Sequence, residues 1–461
     1  MSTMKDIIAI DPELCTGCGR CAEICPVDAI SGTLHQPHTI DTDKCVLCGQ
    51  CVQECSAYDS SLEEYEHSHA ERLAMRGMLP STKEPLFAAH FRSDIKKVMD
   101  VLTDPNAYTM VQCAPAIRVA LGEEFGLEYG SMCQGKLIAA LRELGFDRVY
   151  DTNFAADLTI MEEAAELVHR IQNGGTLPMF TSCCPAWVKY LEDQYPELID
   201  HLSSCRSPQQ MAGSMFKTYG AKIDKVDPKK IVSVAIMPCT CKKFECERPE
   251  MNASGEQDVD VVLTTRELAQ LIKHMGIDFL NLANQDVDSP LGCYTGAGNI
   301  FGTTGGVMEA ALRTAVESIS GEKLKKLEFE AVRGLDGVRK ASVDINGQTI
   351  SVCIVAGVEH LPSVMEDIKA GRADFQFMEV MCCPTGCVSG GGQPKVLLPA
   401  QREKANQLRR AGLYAIDSTS TSRKSHENPD IQKLYKNFLG EPLGHTSHHL
   451  LHIERGEHSH E

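Results

Sequence analysis

The chain has 461 residues, 43% of them hydrophobic, and a formal net charge of −18. It is long enough to bury a large core and to divide into two or three domains. The acidic balance argues against a nucleic-acid partner, because phosphate binding needs a basic surface. The sequence contains no run of about 18 apolar residues that would span a membrane. Its N-terminus lacks an apolar signal core or a twin arginine, so we expect a cytoplasmic protein.

The first 60 residues contain two cysteine runs with the spacing of bacterial two-cluster ferredoxins, in which the fourth cysteine of each run ligates the other cluster. One [4Fe–4S] cluster is therefore assigned to Cys15, Cys18, Cys21 and Cys55. Its twin is assigned to Cys25, Cys45, Cys48 and Cys51. Zinc knuckles, the alternative, need four-ligand groups that do not interlock in this way. The 21 cysteines of the chain, without a signal peptide, favour metal ligands over disulfides.

Residues 61–107 form the second predicted region, a polar connector with a helical pattern at 61–65 and 91–98. Pro80 and Pro85 divide it into two pieces. We expect it to dock the N-terminal domain on the rest of the chain.

Residues 108–400 alternate strand-like runs with long helical patterns. The predicted strands are 148–150, 177–180, 231–236, 350–356 and 375–380. The predicted helices are 136–144, 159–171, 265–275 and 307–318. This alternation favours an α/β domain with mostly parallel strands. The glycines at 296–306 could be a phosphate loop, but no Gly-Lys-Ser/Thr follows, so tight strand-to-helix packing is the preferred reading.

Residues 401–461 form a polar tail with a short helical pattern at 431–438. Its last part carries six histidines, namely His445, His448, His449, His452, His458 and His460. They could bind a metal, but we expect a solvated tail.

Three predicted strands run directly into cysteines. The first is followed by Cys183 and Cys184, the second by Cys239, and the third by Cys383 and Cys387. Ligands collect at the carboxyl ends of strands in open α/β sheets. Three such ends carrying thiols predict one soft-metal site. Cys184, Cys239, Cys383 and Cys387 make a four-cysteine set suited to a third [4Fe–4S] cluster.

The segments Thr-Ser-Cys-Cys-Pro (181–185), Met-Pro-Cys-x-x-Lys-Lys-x-Glu (237–245) and Glu-x-Met-x-Cys-x-x-x-Cys-x-x-Gly-Gly-Gly (379–392) resemble the three signature segments of the [FeFe]-hydrogenases. They occur in the family's order, and the resemblance covers most of 108–400. It implies a two-lobed α/β catalytic domain with mostly parallel sheets, preceded by an α+β ferredoxin-like domain. It also implies that 401–461 corresponds to a segment that is a separate small subunit in some relatives.

The resemblance implies the cofactor and the reaction as well. The four-cysteine set would hold the cubane of an H-cluster. Cys387 would bridge it to a di-iron subsite with carbonyl, cyanide and dithiolate-amine ligands. The reaction would be 2H⁺ + 2e⁻ ⇌ H₂, with electrons from a soluble carrier such as ferredoxin. Maturation proteins would build the di-iron unit.

By the same resemblance, a proton path would run through Arg170, Glu166, Ser203, Glu163 and Cys183. From the residues alone, the two glutamates and Arg170 are more simply a solvated helix face, and Cys183 a small buried residue. Lys242 would contact a cyanide ligand, the alternative being an exposed lysine without a role. Other positions matching the pocket are Ala114, Pro115, Ser207, Gln209, Met237, Phe301 and Met381; without the resemblance, most of them would be assigned to the core.

Four further thiols depart from the common family pattern, namely Cys205, Cys241, Cys246 and Cys382. They are either small-for-small replacements or modifiers of oxygen tolerance and cubane redox poise. The remaining thiols are expected to be core (Cys113, Cys133, Cys353) or packed beside the glycine-rich segment (Cys293).

Two rival functions remain. One is an iron–sulfur carrier or assembly factor without a di-iron unit, and the other is an H₂-sensing relative. The carrier would not need Cys183, Lys242, Met237 and Glu163 together. The sensor would be expected to carry an output domain.

Overall fold

The computed structural model describes residues 7–59, 66–80, 85–345 and 347–454. The N-terminal domain is small and mixed. Its strands are β1 (Ile8–Ile10), β2 (Ile30–Ser31), β3 (Thr39–Ile40) and β4 (Tyr58–Asp59), and its helices are α1 (Arg20–Glu23) and α2 (Gln50–Glu54). Each helix starts after a left-handed glycine, Gly19 with φ 81° and Gly49 with φ 74°. A side chain would be strained at both positions.

The connector contains α3 (Glu66–Met75), β5 (Leu86–Phe87), β6 (Ala89–Phe91) and α4 (Ile95–Thr103). The predicted helix from 91 is wrong at its start, since β6 pairs antiparallel with β1 and β5 with β4. Leu86 and Ala89, each 1% exposed, complete the core of the N-terminal domain. The connector is therefore partly woven into that domain. The helical pattern at 61–65 lies outside the described residues.

Two sheets follow, and most of their strands are parallel. The strands are β7 (Tyr108–Cys113), β8 (Arg148–Asp151), β9 (Met179–Phe180), β10 (Ile231–Met237), β11 (Val261–Thr264), β12 (Val338–Ile345), β13 (Gln348–Ala356) and β14 (Phe377–Met381). The first sheet has the order β11-β10-β7-β8 and is parallel throughout. The second has the order β12-β13-β14-β9, and only its β12–β13 pair is antiparallel. The predicted α/β fold with mostly parallel sheets is confirmed.

Helices cover and connect the sheets. They are α5 (Gln134–Glu143), α6 (Thr152–Asn173), α7 (Pro185–Gln194), α8 (Pro208–Met215), α9 (Ala221–Asp224), α10 (Cys241–Glu247), α11 (Thr265–His274), α12 (Gly296–Ile300), α13 (Gly306–Ser320) and α14 (Leu361–Lys369). The glycine-rich segment forms α12 and the start of α13, and it is a packing element. A Cβ at Gly298 would stand 2.6 Å from the Asn153 carbonyl oxygen.

The C-terminal segment folds over the same core as α15 (Pro399–Thr419), α16 (Pro429–Leu434) and α17 (His445–Leu451). Arg409 pairs with Glu123 at 2.5 Å, and Asp417 pairs with Arg313 at 2.8 Å. The expectation of a solvated tail is wrong for His452, which is 3% exposed, because the chain after α17 pairs with 204–206. His458 and His460 lie outside the described residues.

Within the described ranges, no helix is both long and apolar enough to cross a membrane.

Candidate active site

A cavity of about 80 Å³ lies where the strands of both sheets end. Ala114 follows β7, Thr152 follows β8, and Met237 ends β10 on one side. Met381, at the end of β14, and Cys183, shortly after β9, line the other side. The cavity therefore occupies the position where ligands bind in open α/β sheets.

The structure brings the four strand-end cysteines to this one cavity. Its lining includes Cys184, Cys239, Cys383 and Cys387. Burial raises the pKa of each of these thiols, so they are poor thiolates unless a cation stabilises them. Four converging soft donors are the donor set of a [4Fe–4S] cubane. The residues present fit that group.

The two ferredoxin-type cysteine sets also separate as their spacing indicates. One small cavity is lined by Cys15, Cys18, Cys21 and Cys55. A second is lined by Cys25, Cys45, Cys48 and Cys51. Backbone N–H groups donate to their sulfurs, for example Ala29 to Cys25 at 3.2 Å and Ala89 to Cys55 at 3.3 Å. Such donors stabilise cluster-bound thiolates, which is a second feature that fits [4Fe–4S] groups.

The N-terminal domain contacts the central site directly. The Gln50 side-chain amide donates to Cys383 Sγ at 3.5 Å and to the Ser389 carbonyl at 3.1 Å. Thr240 Oγ1 donates to the Leu47 carbonyl at 2.7 Å. A Cβ on Gly391 would stand 2.5 Å from the Cys48 carbonyl oxygen, so the backbones of the two domains touch. The second ferredoxin cysteine set therefore lies against the loop that carries Cys383 and Cys387. Gln50 and Thr240 carry no sequence signal for this role.

The predicted proton-path residues form a buried row rather than a solvated helix face. Glu163 is 1% exposed, Glu166 7% and Ser203 0%. Ser203 Oγ donates to Glu166 Oε2 at 2.7 Å, and Arg170 Nη2 donates to Glu166 Oε1 at 2.7 Å. Arg170 also holds the carbonyls of Asp200 and Leu202 at 3.1 and 2.8 Å, so it closes the outer end of the row.

The inner members of this row hold their protons near neutral pH. Burial, assisted by the charge of Glu166, raises the pKa of Glu163 to about 8. The Ser182 backbone and the Ser203 hydroxyl also face Glu163 and offset only part of this rise in pKa. Burial raises the pKa of the Cys183 thiol well above its ordinary value, and Cys183 lines the cavity. Both groups thus keep their protons near neutral pH, and Cys183 does so at the wall of the cavity.

Lys242 has a protein partner that sequence reasoning missed. Its ammonium contacts Glu245 Oε2 at 2.7 Å and the Cys183 carbonyl at 3.1 Å, with the residue 9% exposed. Lys242 is thus a buried charge that is paired within the protein, so the alternative of an exposed lysine is wrong. Glu245 also accepts from Ser207 Oγ at 2.9 Å and Gln209 Nε2 at 3.1 Å. The i, i+3 spacing of Lys242 and Glu245 on α10 was the available signal.

The other pocket positions divide into two groups. Those that line the cavity are Ala114, Pro115, Gln209, Met237, Phe301 and Met381. Ser207 is not among its lining residues, and its hydroxyl donates to Glu245 instead. Met237 and Met381 are 2% and 3% exposed and place polarisable thioethers at two strand ends.

The additional thiols occupy different environments. Cys382 lines the cavity, and a side-chain hydrogen bond with Cys48 of the ferredoxin set, together with burial, raises the pKa of Cys382 well above its ordinary value. Cys241 is fully buried in the hydrophobic cluster that also contains Cys48 and Cys382. Cys246 is buried in the core of the first sheet. Cys205 lies beside Glu166. Cys293 is exposed, which contradicts its assignment as a packed residue, whereas Cys113, Cys133 and Cys353 are buried.

Three family models match successive parts of the chain. The 4Fe-4S binding domain matches residues 8–31 and 38–56. The iron only hydrogenase large subunit, C-terminal domain, matches residues 107–391. The iron hydrogenase small subunit matches residues 403–454. The chain belongs to the iron-only hydrogenase family.

Curated relatives agree with this membership. The NADP-reducing hydrogenase subunit HndD of Solidesulfovibrio fructosivorans is 49% identical over 78% of this chain and 62% of its own length. Iron hydrogenase 1 of Clostridium pasteurianum is 45% identical over 80% of this chain and 65% of its own length. The chain thus spans somewhat less than two thirds of the length of these two hydrogenase relatives.

Solved structures and more distant relatives complete the comparison. The apo [FeFe]-hydrogenase HydA1 of Chlamydomonas reinhardtii superposes with a TM-score of 0.70 and 41% identity, covering 78% of this chain and 98% of that one. Cytosolic iron-sulfur assembly component 3 of Rattus norvegicus is 29% identical over 85% of this chain and 84% of its own length. Sequence similarity therefore extends both to hydrogenases and, at lower identity, to an iron-sulfur assembly component.

Proposed function

We propose that this chain is an [FeFe]-hydrogenase that interconverts protons, electrons and H₂ at an H-cluster. The observation that carries the proposal is the convergence of four cysteines, Cys183 and Lys242 on one buried cavity. In the proposed organisation, residues 1–60 carry two [4Fe–4S] clusters, 61–107 connect, 108–400 hold the H-cluster and 401–461 correspond to the small subunit.

Cys184, Cys239, Cys383 and Cys387 would hold the cubane, with Cys387 also bridging to the di-iron subsite. When bound, the cluster supplies the redox-active iron and the carbonyl, cyanide and dithiolate-amine ligands that the reaction requires. Lys242 places a fixed ammonium at the cavity wall, where it would donate to an anionic ligand nitrogen. Ala114, Pro115, Met237, Phe301 and Met381 exclude water from the space, while Gln209 and Ser207 hold Glu245 and thereby Lys242.

Protons would reach the cavity along the buried row. Arg170 anchors Glu166 at the outer end, and Ser203 donates its hydroxyl proton to Glu166. Glu163 retains a proton at its carboxyl near neutral pH because its burial raises its pKa. Cys183 holds a proton at Sγ beside the cavity. The row thus offers groups that alternately accept and return a proton, as general acid–base transfer requires.

Electrons would arrive from a carrier such as a ferredoxin through the two N-terminal clusters. The contact of Gln50 with Cys383 and the backbone contact at Gly391 support this entry route. Host maturation proteins would have to deliver the di-iron subsite.

The second candidate function is an iron–sulfur carrier or assembly factor, which the 29% identity to the assembly component favours. Infrared spectra of the anaerobically matured chain separate the two. Carbonyl and cyanide stretches together with H₂ production from a reduced dye are expected for the hydrogenase. About twelve irons per chain, roughly three cubanes, without those bands would overturn it and favour the carrier.

A further inference from the structure

The end of the C-terminal segment pairs with the strand-like stretch that follows Ser203. Ile453 N donates to the Ser204 carbonyl and Arg206 N to the Leu451 carbonyl, both at 2.8 Å. These two bonds flank Cys205 and His452, which form an isolated antiparallel bridge. Residues in such a non-hydrogen-bonded pair have their side chains closest together. The backbone therefore fixes a thiol beside an imidazole.

Glu166 supplies a third ligand-type atom at the same point. Cys205 Sγ lies 3.9 Å from Glu166 Oε2 and 3.9 Å from His452 Nδ1. The three atoms all lie within 4.8 Å of one another, and all three residues are buried. Zinc bonds of about 2.3 Å to sulfur and about 2.0–2.1 Å to nitrogen or oxygen place tetrahedral ligands roughly 3.6 Å apart. Small side-chain shifts would bring this trio to that spacing.

The imidazole is already oriented for a metal. His452 Nε2 lies 3.0 Å from Glu162 Oε2, and both side chains are 0% exposed. Glu162 is itself fixed by the Tyr435 hydroxyl and by Leu443 N at 2.8 Å. A carboxylate that holds one ring nitrogen fixes the tautomer and turns the other nitrogen towards the metal. That other nitrogen, Nδ1, faces Cys205, and the hydroxyl of Ser204 lies 2.8 Å from it.

An exposed histidine packs directly against the buried trio. The exposed ring of His448 stacks on His452 with ring centroids 4.8 Å apart and planes 4° from parallel. His448 is therefore a nitrogen donor at the surface, one ring away from the buried site.

We propose that Glu166, Cys205 and His452 form a site for a zinc-class divalent cation, and that a cation bound there arrests proton delivery through Glu166. The arrest of proton delivery, unlike the cation site itself, rests on the proposed function. Binding converts the Cys205 thiol to a metal thiolate and releases one proton to solvent, with no change of oxidation state. Glu166 would bind through Oε2, the oxygen that now accepts from Ser203, and would keep Arg170 on Oε1. A water completes the coordination.

Another grouping of ligand-type residues gives a useful contrast. Glu317, His426 and Glu427 are only partly buried and include no thiol. Lys424 Nζ lies 3.0 Å from Glu317 and 2.7 Å from Glu427, so one ammonium already pairs with both carboxylates. A cation would compete there with a resident ammonium, so this group is a control rather than a candidate.

The test adds Zn²⁺ to the fully matured, iron-loaded chain, desalts it and counts retained zinc per chain. One zinc is expected in the unchanged chain. Cys205→Ala, Cys205→Ser and His452→Gln are expected to weaken its affinity at least about tenfold, and Glu162→Gln by about 10–100-fold through loss of the orienting carboxylate. His426→Gln and Cys353→Ala, a buried thiol elsewhere, should retain it. Zinc X-ray absorption should show one sulfur at about 2.3 Å that Cys205→Ala removes.

Equal zinc retention by the unchanged chain and Cys205→Ala, or none by either, would overturn the site. H₂ production is then measured with and without zinc, each variant being compared with its own zinc-free rate. Reversible inhibition of the unchanged chain, lost in Cys205→Ala, is expected. Binding without inhibition would overturn the arrest of proton delivery. A chain that makes no H₂ refutes the proposed function and, with it, the arrest, while the zinc count still decides the site.

Discussion

Gln50 of the N-terminal domain donates its side-chain amide to Cys383 of the central cavity at 3.5 Å. The glutamine adjoins Cys51, so one side chain joins the surroundings of two proposed clusters. A donor to a cluster-bound thiolate stabilises the reduced, more negative cluster and so raises its reduction potential.

Replacing Gln50 by alanine should therefore lower the potential of the central cubane while all its ligands remain. Redox titration followed by electron paramagnetic resonance measures this. Gln407→Ala, on the exposed face of α15, is the matched control. An unchanged cubane potential in Gln50→Ala would show that the contact does not tune the site.

Glu163 should titrate at an unusually high pH. Burial and the charge of Glu166 raise its pKa to about 8, so the carboxyl is largely protonated at pH 7 and ionises as pH rises through 8. Glu166→Gln removes the neighbouring negative charge and should lower the pKa of Glu163, by on the order of 1 unit. The infrared C=O stretch of the protonated Glu163 carboxylic acid, measured as a function of pH, reports both the pKa of Glu163 and its change in Glu166→Gln. The band should be absent in Glu163→Gln, which identifies it as that of Glu163. A pKa near the ordinary value of a glutamate would refute the prediction that Glu163 is protonated at pH 7.

Ser203→Ala should slow turnover without loss of iron. It removes the hydroxyl that donates to Glu166 at 2.7 Å, and loss of a positioned proton-transfer group typically costs about 10²–10⁴-fold in rate. Ser203→Thr keeps the hydroxyl and should recover most of the rate. H₂ production per chain, with iron content and infrared bands unchanged, is the measurement. Full activity in Ser203→Ala would place the proton path elsewhere.

Glu245→Gln should destabilise the cluster-free chain more than the matured one. Glu245 is the anionic group that the structure shows beside the buried Lys242 ammonium, at 2.7 Å, and leaving such a charge without a counter-charge costs about 3–5 kcal/mol. An anionic cluster ligand would supply a second partner and reduce the loss. Thermal unfolding of both forms tests this against Glu366→Gln on the exposed face of α14. Adding Lys242→Met should restore part of the stability, and equal losses in both forms would count against a ligand contact at Lys242.

Gly391→Ala should separate the two domains. Its Cβ would stand 2.5 Å from the Cys48 carbonyl oxygen and 2.6 Å from Gly49 Cα, and neither backbone position can yield locally. The rate of H₂ production with a protein electron carrier should fall. The rate with a small reduced dye, which can reach the central site directly, should fall less. Gly220→Ala, whose Cβ meets nothing nearer than 3.4 Å, is the control.

The short-range parts of the site could be predicted from the sequence. Cysteine spacing separated the two ferredoxin sets, and strand ends located the central thiols, because both follow from local chain geometry. Glu245 was within reach through its helical spacing from Lys242. The strand at Ala89–Phe91 and the burial of His452 could not be predicted from the sequence. Each depends on pairing with a distant segment, 8–10 for the strand and 204–206 for His452. The proposal of a di-iron unit rests only on the family resemblance, because no residue pattern encodes carbonyl or cyanide ligands.

Leu397 and Leu398, at the junction between the catalytic region and α15, are 67% and 59% exposed. The contacts that hold the C-terminal segment lie beyond them, in the pairs Arg409–Glu123 and Asp417–Arg313 and in the strand pairing at His452. The chain at the junction therefore keeps the two segments close together and adds little contact energy of its own. Two separately synthesised polypeptides divided there would present the same complementary surfaces, so fusion raises effective concentration without changing what is recognised.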